Sequence, residues 1–322
     1  MEYTTRILSP DNISIMECAG ILQQGGIIAF PTETVYGLGA VYSMESAVKN
    51  VFLAKGRPSD NPLIVHIYSL EQLPSLISDC NEDAQILMEH FFPGPLTLLL
   101  PKHPQVLPIV TAGHSTIAIR MPKNAIALQL LEKTGLPLVA PSANTSGRPS
   151  PTTAQHVFDD LSGKIDAILD GGACDVGIES TVLGWINEKP TIFRPGIITK
   201  ENIEKILGKT VHYSAVHEGK TPISPGMKYR HYAPRIPIVL CTSLEEAEIL
   251  LRNEKEKLFI LTDNESCFSH TNNYVKSLDI YSLYANFRYA EVHNFSKIII
   301  ALIEPESINP ALYNRITKAV SH

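Results

Sequence analysis

The spacing of apolar residues changes several times along the chain, and each change marks an element. Ile13, Met16, Ile21 and Leu22 recur near helical spacing, which predicts a helix over 13–24 that Gly25-Gly26 stops. Residues 27–30 are short and apolar, as a buried strand is. Residues 46–54 predict a helix that delivers Lys55 at its end. Residues 63–67 form an apolar run of strand length, with Ile64 and His66 on one face and Leu63, Val65 and Ile67 on the other. A rigid Phe91-Phe-Pro-Gly-Pro95 turn precedes a strand over 96–100. Residues 116–120 alternate cleanly, placing Thr116, Ala118 and Arg120 on one face. Further strands are predicted at 138–140, 167–169, 181–183 and 190–194, and helices at 152–161 and 199–207.

From Ile236 short strands alternate with helices. Strands are expected at 238–241, 258–261, 278–281 and 297–303, and helices at 244–252, 282–293 and 310–319. That order predicts a small parallel α/β domain. Between the two patterned regions, 209–235 has little periodicity. It carries Lys209, Lys220, Lys228, Arg230 and Arg235 against one acid, Glu218, and is broken by Pro222, Pro225 and Pro234. The expected organisation is a first domain over 1–208, a basic linker over 209–235 and a second domain over 236–322. Ser224-Pro-Gly-Met-Lys-Tyr-Arg-His-Tyr-Ala-Pro234 is dense in cations and aromatics for a passive spacer, so a lid is expected there.

Composition narrows the class. The chain has 322 residues, 44% hydrophobic and 19% charged, which fits a globular protein. Its net charge of −6 argues against a nucleic-acid scaffold. Its five cysteines form no Cys-x-x-Cys pair, so neither a disulfide framework nor a zinc site is expected, and a reducing, cytoplasmic setting is. The N-terminus lacks the basic and apolar regions of a signal peptide. No apolar run approaches the roughly 20 residues a membrane span needs.

The candidate chemistry gathers where predicted strands end. In Lys55-Gly-Arg57-Pro-Ser-Asp-Asn61-Pro a mobile point charge and a planar fork stand beside a glycine in a polar turn, a pairing suited to a polyphosphate. By itself such a motif reads as a solvated basic turn. Arg120 on a strand face is costly to bury unpaired, so it reaches solvent or meets an anion. Pro141-Ser142-Ala-Asn144-Thr-Ser-Gly-Arg-Pro-Ser150 offers donors to phosphate and ribose, and Arg194 ends another strand. Pro31-Thr-Glu-Thr34-Val-Tyr-Gly-Leu-Gly39 is a polar, glycine-rich segment following a strand. No Walker loop, dinucleotide fingerprint or nucleophile–histidine pattern is present. Cations in one groove of an acidic domain suggest a small anionic ligand.

Lys55-x-Arg57 with Ser142-x-Asn144, preceded by Pro-Thr-Glu-Thr-Val-Tyr-Gly-Leu-Gly, resembles the YrdC-like domain. With the linker motif, Leu283-Tyr-Ala-Asn-Phe-Arg288 and Tyr313-Asn-Arg-Ile-Thr-Lys-Ala319, nearly the whole chain is similar to the two-domain threonylcarbamoyl-AMP synthase family. One departure is visible: the acid that usually follows the arginine of that late helix is Glu291 here, slightly displaced, which bears on packing. The resemblance implies an α/β fold, a twisted YrdC-like sheet curved around a positive groove, followed by a small Rossmann-like domain. It implies that L-threonine, bicarbonate or CO2 and ATP, with Mg2+ accompanying the ATP, give threonylcarbamoyl-AMP and pyrophosphate. The product would pass to the tRNA threonylcarbamoyl-transfer machinery, with no stable nucleic-acid binding and no membrane. By resemblance, threonine is met by Thr34, His66, Arg120, Ala140 and Ser180. ATP is met by Lys55, Arg57, Asn61, Thr116, Ser142, Asn144, Ser150 and Arg194, with His231 and Tyr232 of the linker closing over it; Lys55 and Arg57 are the expected catalytic cations. Two rivals stand beside this reading: an RNA-binding module, and a carbamoyl-phosphate-dependent carbamoyl-adenylate enzyme as in hydrogenase maturation. The second usually carries acylphosphatase-like and zinc-finger segments ahead of its YrdC-like part.

Overall fold

Side-chain caps start most of the longer helices. Asp11, Asn81, Asn124, Thr153 and Thr199 each accept a hydrogen bond from a backbone N–H of the first turn that follows. The computed structural model describes residues 4–214 and 231–320. The chain divides into two compact units.

In the first unit the elements run β1 (Arg6–Leu8), α1 (Asn12–Gln23), β2 (Ile28–Phe30), β3 (Gly37–Val41), α2 (Glu45–Lys55), β4 (Ile64–His66), α3 (Glu82–Phe91), β5 (Leu96–Pro101), α4 (Pro108–Thr111), β6 (Thr116–Arg120), α5 (Ala125–Thr134), β7 (Leu138–Val139), α6 (Ala154–Leu161), β8 (Ala167–Leu169), β9 (Thr181–Ile186), β10 (Lys189–Arg194), α7 (Lys200–Leu207) and β11 (His212–Tyr213). Among the described residues the strands make one mixed, eleven-stranded order, β1-β8-β2-β3-β7-β4-β6-β5-β9-β10-β11. Strand alternation divides the side chains between two cores. Ile28 and Phe30 face α1 and α5, while Ile27 and Ala29 face the larger core that takes Val48 and Val51 of α2, Leu87 of α3 and Val157 of α6.

The central strands do the same. Val65, Leu98, Leu100, Ile119 and Leu183 enter the larger core. Their opposite face carries a small apolar patch, Ile64, Leu99, Ala118 and Val182. Alternation puts His66, Arg120 and Thr97 on that second face too. A polar floor is thus laid on strands whose other side is anchored in the main core.

The second unit contains β12 (Ile238–Cys241), α8 (Leu244–Asn253), β13 (Phe259–Thr262), β14 (Tyr274–Ser277), α9 (Leu283–Val292), β15 (Ile298–Ala301) and α10 (Pro310–Val320). Its sheet is parallel throughout, in the order β12-β15-β13-β14. The strand expected at 278–281 lies instead at Tyr274–Ser277. Asp279 accounts for the difference: its carboxylate accepts from the backbone N–H groups of Tyr281 and Ser282, at 2.8 Å each, and turns the chain toward α9. Residues 147–149 group with this second unit although the chain around them belongs to the first. Arg148 makes a two-pronged pair with Glu291 of α9, and Arg288 donates to the Pro149 carbonyl. The displaced acid of the sequence therefore has a packing partner.

Candidate functional site

β4 and β6 run parallel with His66 opposite Arg120, so register alone sets these two side by side. Both are buried. Arg120 donates from Nε to the Gly94 carbonyl at 3.3 Å and from Nη1 to Thr34 Oγ at 2.9 Å. Its Nη2 lies 2.8 Å from Glu33 Oε1. That contact is an ion pair whose angle is poor for a hydrogen bond, and Nη2 and both Glu33 oxygens lack a hydrogen-bond partner among the described residues. Thr34 Oγ also shares a hydrogen bond with Thr32 Oγ at 2.8 Å, and Thr32 is held by the turn, donating to the Val35 carbonyl. Burial, then the Arg120 charge, hold the His66 imidazole down at about 3, so the ring is neutral. Its Nδ1 is buried without a hydrogen-bond partner among the described residues, and the Phe30 ring stands edge-on to the imidazole at 6.3 Å. Ala140 continues the same floor, donating its N–H to the Ile64 carbonyl at 2.9 Å.

Ser180 stands at the head of β9. Its hydroxyl shares a 2.7 Å hydrogen bond with Thr97 of β5. Arg194 grips it twice, Nε to the carbonyl at 3.0 Å and Nη2 to Oγ at 3.1 Å. Gly94 and Pro95 connect the two clusters: Gly94 accepts from Arg120, and the Pro95 carbonyl accepts from Thr181 N–H at 3.0 Å.

Lys55 differs from the mobile charge in a polar turn that its sequence context suggests. It closes α2 and is fully buried. Its ammonium donates to the Ser142 carbonyl and, at 2.6 Å, to the Asn144 carbonyl. Burial, followed by the neighbouring Arg57, lowers its pKa well below the usual lysine range, while Asp160 and Glu179 oppose the shift. Lys55 thus clamps the backbone of the Ser142–Asn144 loop. The left-handed Gly56, at φ 61°, then turns the chain, and Arg57 donates to the carbonyls of Pro62 at 3.0 Å and Asn61 at 3.4 Å. Asn61 Oδ1 is buried without a hydrogen-bond partner among the described residues. Ser150 donates to Glu179. Thr116 opens β6 at the end opposite Arg120, about 13 Å away by strand rise.

The first unit therefore brings together Thr34, His66, Ala140 and Arg120, joins Ser180 to Arg194, and ties Lys55 to Ser142 and Asn144. Among the linker residues, His231 and Tyr232 are described within the second unit. The Tyr232 ring stacks on Tyr284 at 5.4 Å, with the Arg315 guanidinium 5.4 Å from its centre. The remaining part of the expected lid, 224–230, lies outside the described residues.

Glu33 is the site residue that the sequence reading passes over. The signal available is a carboxylate between two threonines after a strand. Its burial against Arg120 depends on a partner far along the chain.

A family profile described as Telomere recombination, covering Sua5, YciO and YrdC, matches residues 20–196. A second, the threonylcarbamoyl-AMP synthase C-terminal domain, matches residues 198–321. The chain is 44% identical to the threonylcarbamoyl-AMP synthase of Bacillus subtilis, over 97% of this chain and 94% of the relative. It is 42% identical to that of Pyrococcus abyssi, over 94% and 92%. The crystal structure of P. abyssi Sua5 complexed with L-threonine superposes with a TM-score of 0.89 at 40% identity, covering 98% of both chains.

Proposed function

Because the chain belongs to the Sua5, YciO and YrdC family, we propose that it makes threonylcarbamoyl-AMP from L-threonine, bicarbonate or CO2 and ATP, releasing pyrophosphate. The observation that carries the reading is Arg120. It is buried, oriented by Gly94 and Thr34, and among the described residues keeps an unengaged N–H on each terminal nitrogen. A planar fork so held suits the carboxylate of an amino acid. Thr34, the neutral His66, Ala140 and Ser180 are the other residues assigned to the amino acid. ATP, entering as its magnesium complex, meets Arg57, Arg194 and the Lys55-clamped loop of Ser142 and Asn144. Asn61, Thr116 and Ser150 serve the nucleotide.

The chemistry needs little from side-chain nucleophiles. The threonine amine, in its neutral form, adds to CO2 and gives up a proton to solvent, leaving a carbamate. A carbamate oxygen then attacks the α-phosphorus, and the bond to pyrophosphate breaks. Charge builds on the transferring and leaving groups, so fixed cations and oriented amides supply the catalysis. The unstable product is handed to the machinery that modifies tRNA adenosine. Among the described residues no helix is long and apolar enough to cross a membrane.

The test is pyrophosphate release from ATP with L-threonine, bicarbonate or both withheld. Release requiring both co-substrates, with threonylcarbamoyl-AMP recovered, is expected. Release supported by carbamoyl phosphate without threonine would favour the carbamoyl-adenylate reaction. RNA binding with a steep salt slope and no release would favour a binding module.

A further inference from the structure

Glu33 carries a buried carboxylate whose hydrogen-bonding capacity the protein does not fill. Its charged neighbour is Arg120, 2.8 Å away but badly angled, and neither oxygen receives an N–H or O–H among the described residues. A carboxylate buried in this way is costly unless donors reach it, and native proteins seldom keep such a group idle. Nearby donors are committed elsewhere. Thr34 Oγ is engaged by Thr32 and Arg120, and the Val176 N–H bonds the Glu33 backbone carbonyl instead of its side chain.

The pair has the polarity of an α-amino acid turned inside out. Arg120 offers free N–H groups beside Glu33, which offers free acceptors. A guest whose carboxylate and ammonium sit on the same carbon matches both. Arg120 and Glu33 form an ion pair of opposite charges, as the two ends of a zwitterion are, and the neutral His66 adds none.

We propose that Glu33 is the residue that receives the substrate's α-ammonium group, and that it makes the pocket selective for α-amino acids over the corresponding hydroxy acids lacking the amine. This rests on the reading of Arg120 as the carboxylate receptor. Ligand binding supplies donors to the empty acceptors of Glu33, while Arg120 exchanges a strained contact for an aligned fork. The reactive nitrogen is then fixed at one end of the pocket.

The test is calorimetric titration of the full chain, saturated with a non-hydrolysable ATP analogue, by L-threonine and by (R)-3-hydroxybutyrate, which lacks only the amine. The wild-type chain should prefer L-threonine by at least ~10²-fold, because the hydroxy acid leaves buried acceptors unpaired. Glu33→Gln should reduce that preference to less than ~10-fold, and Glu33→Asp should fall between. A Glu33→Gln chain that keeps the wild-type preference overturns the proposal, as does a wild-type chain that binds both ligands alike. If Glu33→Gln fails to fold by thermal melting, the wild-type ratio and Glu33→Asp decide the matter. Arg120→Lys separates the two levels: unchanged threonine affinity there removes the carboxylate assignment itself, whatever Glu33 does.

Discussion

Lys55 combines two duties at the residue scale. Its ammonium is the hydrogen-bond partner that holds the Ser142 and Asn144 carbonyls, and it is wholly buried. Lys55→Ala therefore affects more than phosphate charge. It leaves buried carbonyls unsatisfied, costing about 2–4 kcal/mol of stability, and releases the loop that carries Ser142 and Asn144. Turnover should drop ~10²–10³-fold. Denaturant unfolding together with pyrophosphate release would check both; lost turnover at full stability would reduce Lys55 to a charge. His66 makes a different residue-scale prediction. It is held at about 3 in the fold, against about 6.5 when the chain is unfolded. The unfolded chain thus binds the extra proton first, so stability is complete above pH 6.5 and falls as pH drops toward 3. The slope from this one group is at most ~1.4 kcal/mol per pH unit. Melting temperatures from pH 7.5 to 4 should fall less steeply for His66→Gln than for the wild-type chain. Parallel curves would mean that other groups set the acid limit.

At the scale of elements, β3 is the piece that its own sequence conceals. Gly37-Leu-Gly39 looks like loop because glycine weakens a strand, yet Gly37–Val41 pairs with β2 and β7. The glycines are there for the neighbouring ring: a Cβ on Gly39 would stand 2.9 Å from the Phe30 ring, and one on Gly37 would stand 3.2 Å from Ala140 Cβ. Phe30 in turn leans edge-on against His66. Gly39→Ala should therefore push the ring toward the pocket, costing about 1–3 kcal/mol and weakening threonine more than ATP. Separate titrations of the two ligands would show it; equal weakening would mean a general loss of packing. Elements with a clean period, such as β6 and α2, were legible in the sequence, whereas a shared site for Thr34, His66 and Arg120 was only what the resemblance implied. What the period could not reveal was burial against distant partners. Glu33 in a polar turn and Lys55 in a basic one both look solvated until β6 and the 142–144 loop close over them. Register, which places His66 opposite Arg120, is likewise a property of paired strands and not of either strand alone.

At the scale of the molecule, one loop belongs to both units through the chain itself. Ser142 and Asn144 are held in the first unit by Lys55, residues 147–149 belong to the second, and Ser150 is back in the first. Arg148 meets Glu291 with contacts of 2.5 and 2.8 Å, and the same carboxylate accepts from the Arg235 N–H. Both partners are largely buried, so breaking the pair strands a charge. Glu291→Ala should cost about 2–3 kcal/mol. It should also raise the KM for ATP more than that for threonine, because the loosened loop is the one flanked by Ser142, Asn144 and Ser150. Arg148→Ala should do the same, and the double change should cost less than the sum, with a coupling of about 1–3 kcal/mol. The exchange Arg148→Glu with Glu291→Arg should restore part of the stability, though the Arg235 N–H would lose its acceptor. Unfolding midpoints and steady-state kinetics on the four chains would settle the question. Additive losses would mean that Arg148 and Glu291 act independently. Coupled stability with an unchanged KM for ATP would confine the pair to packing and leave the loop's geometry to Lys55.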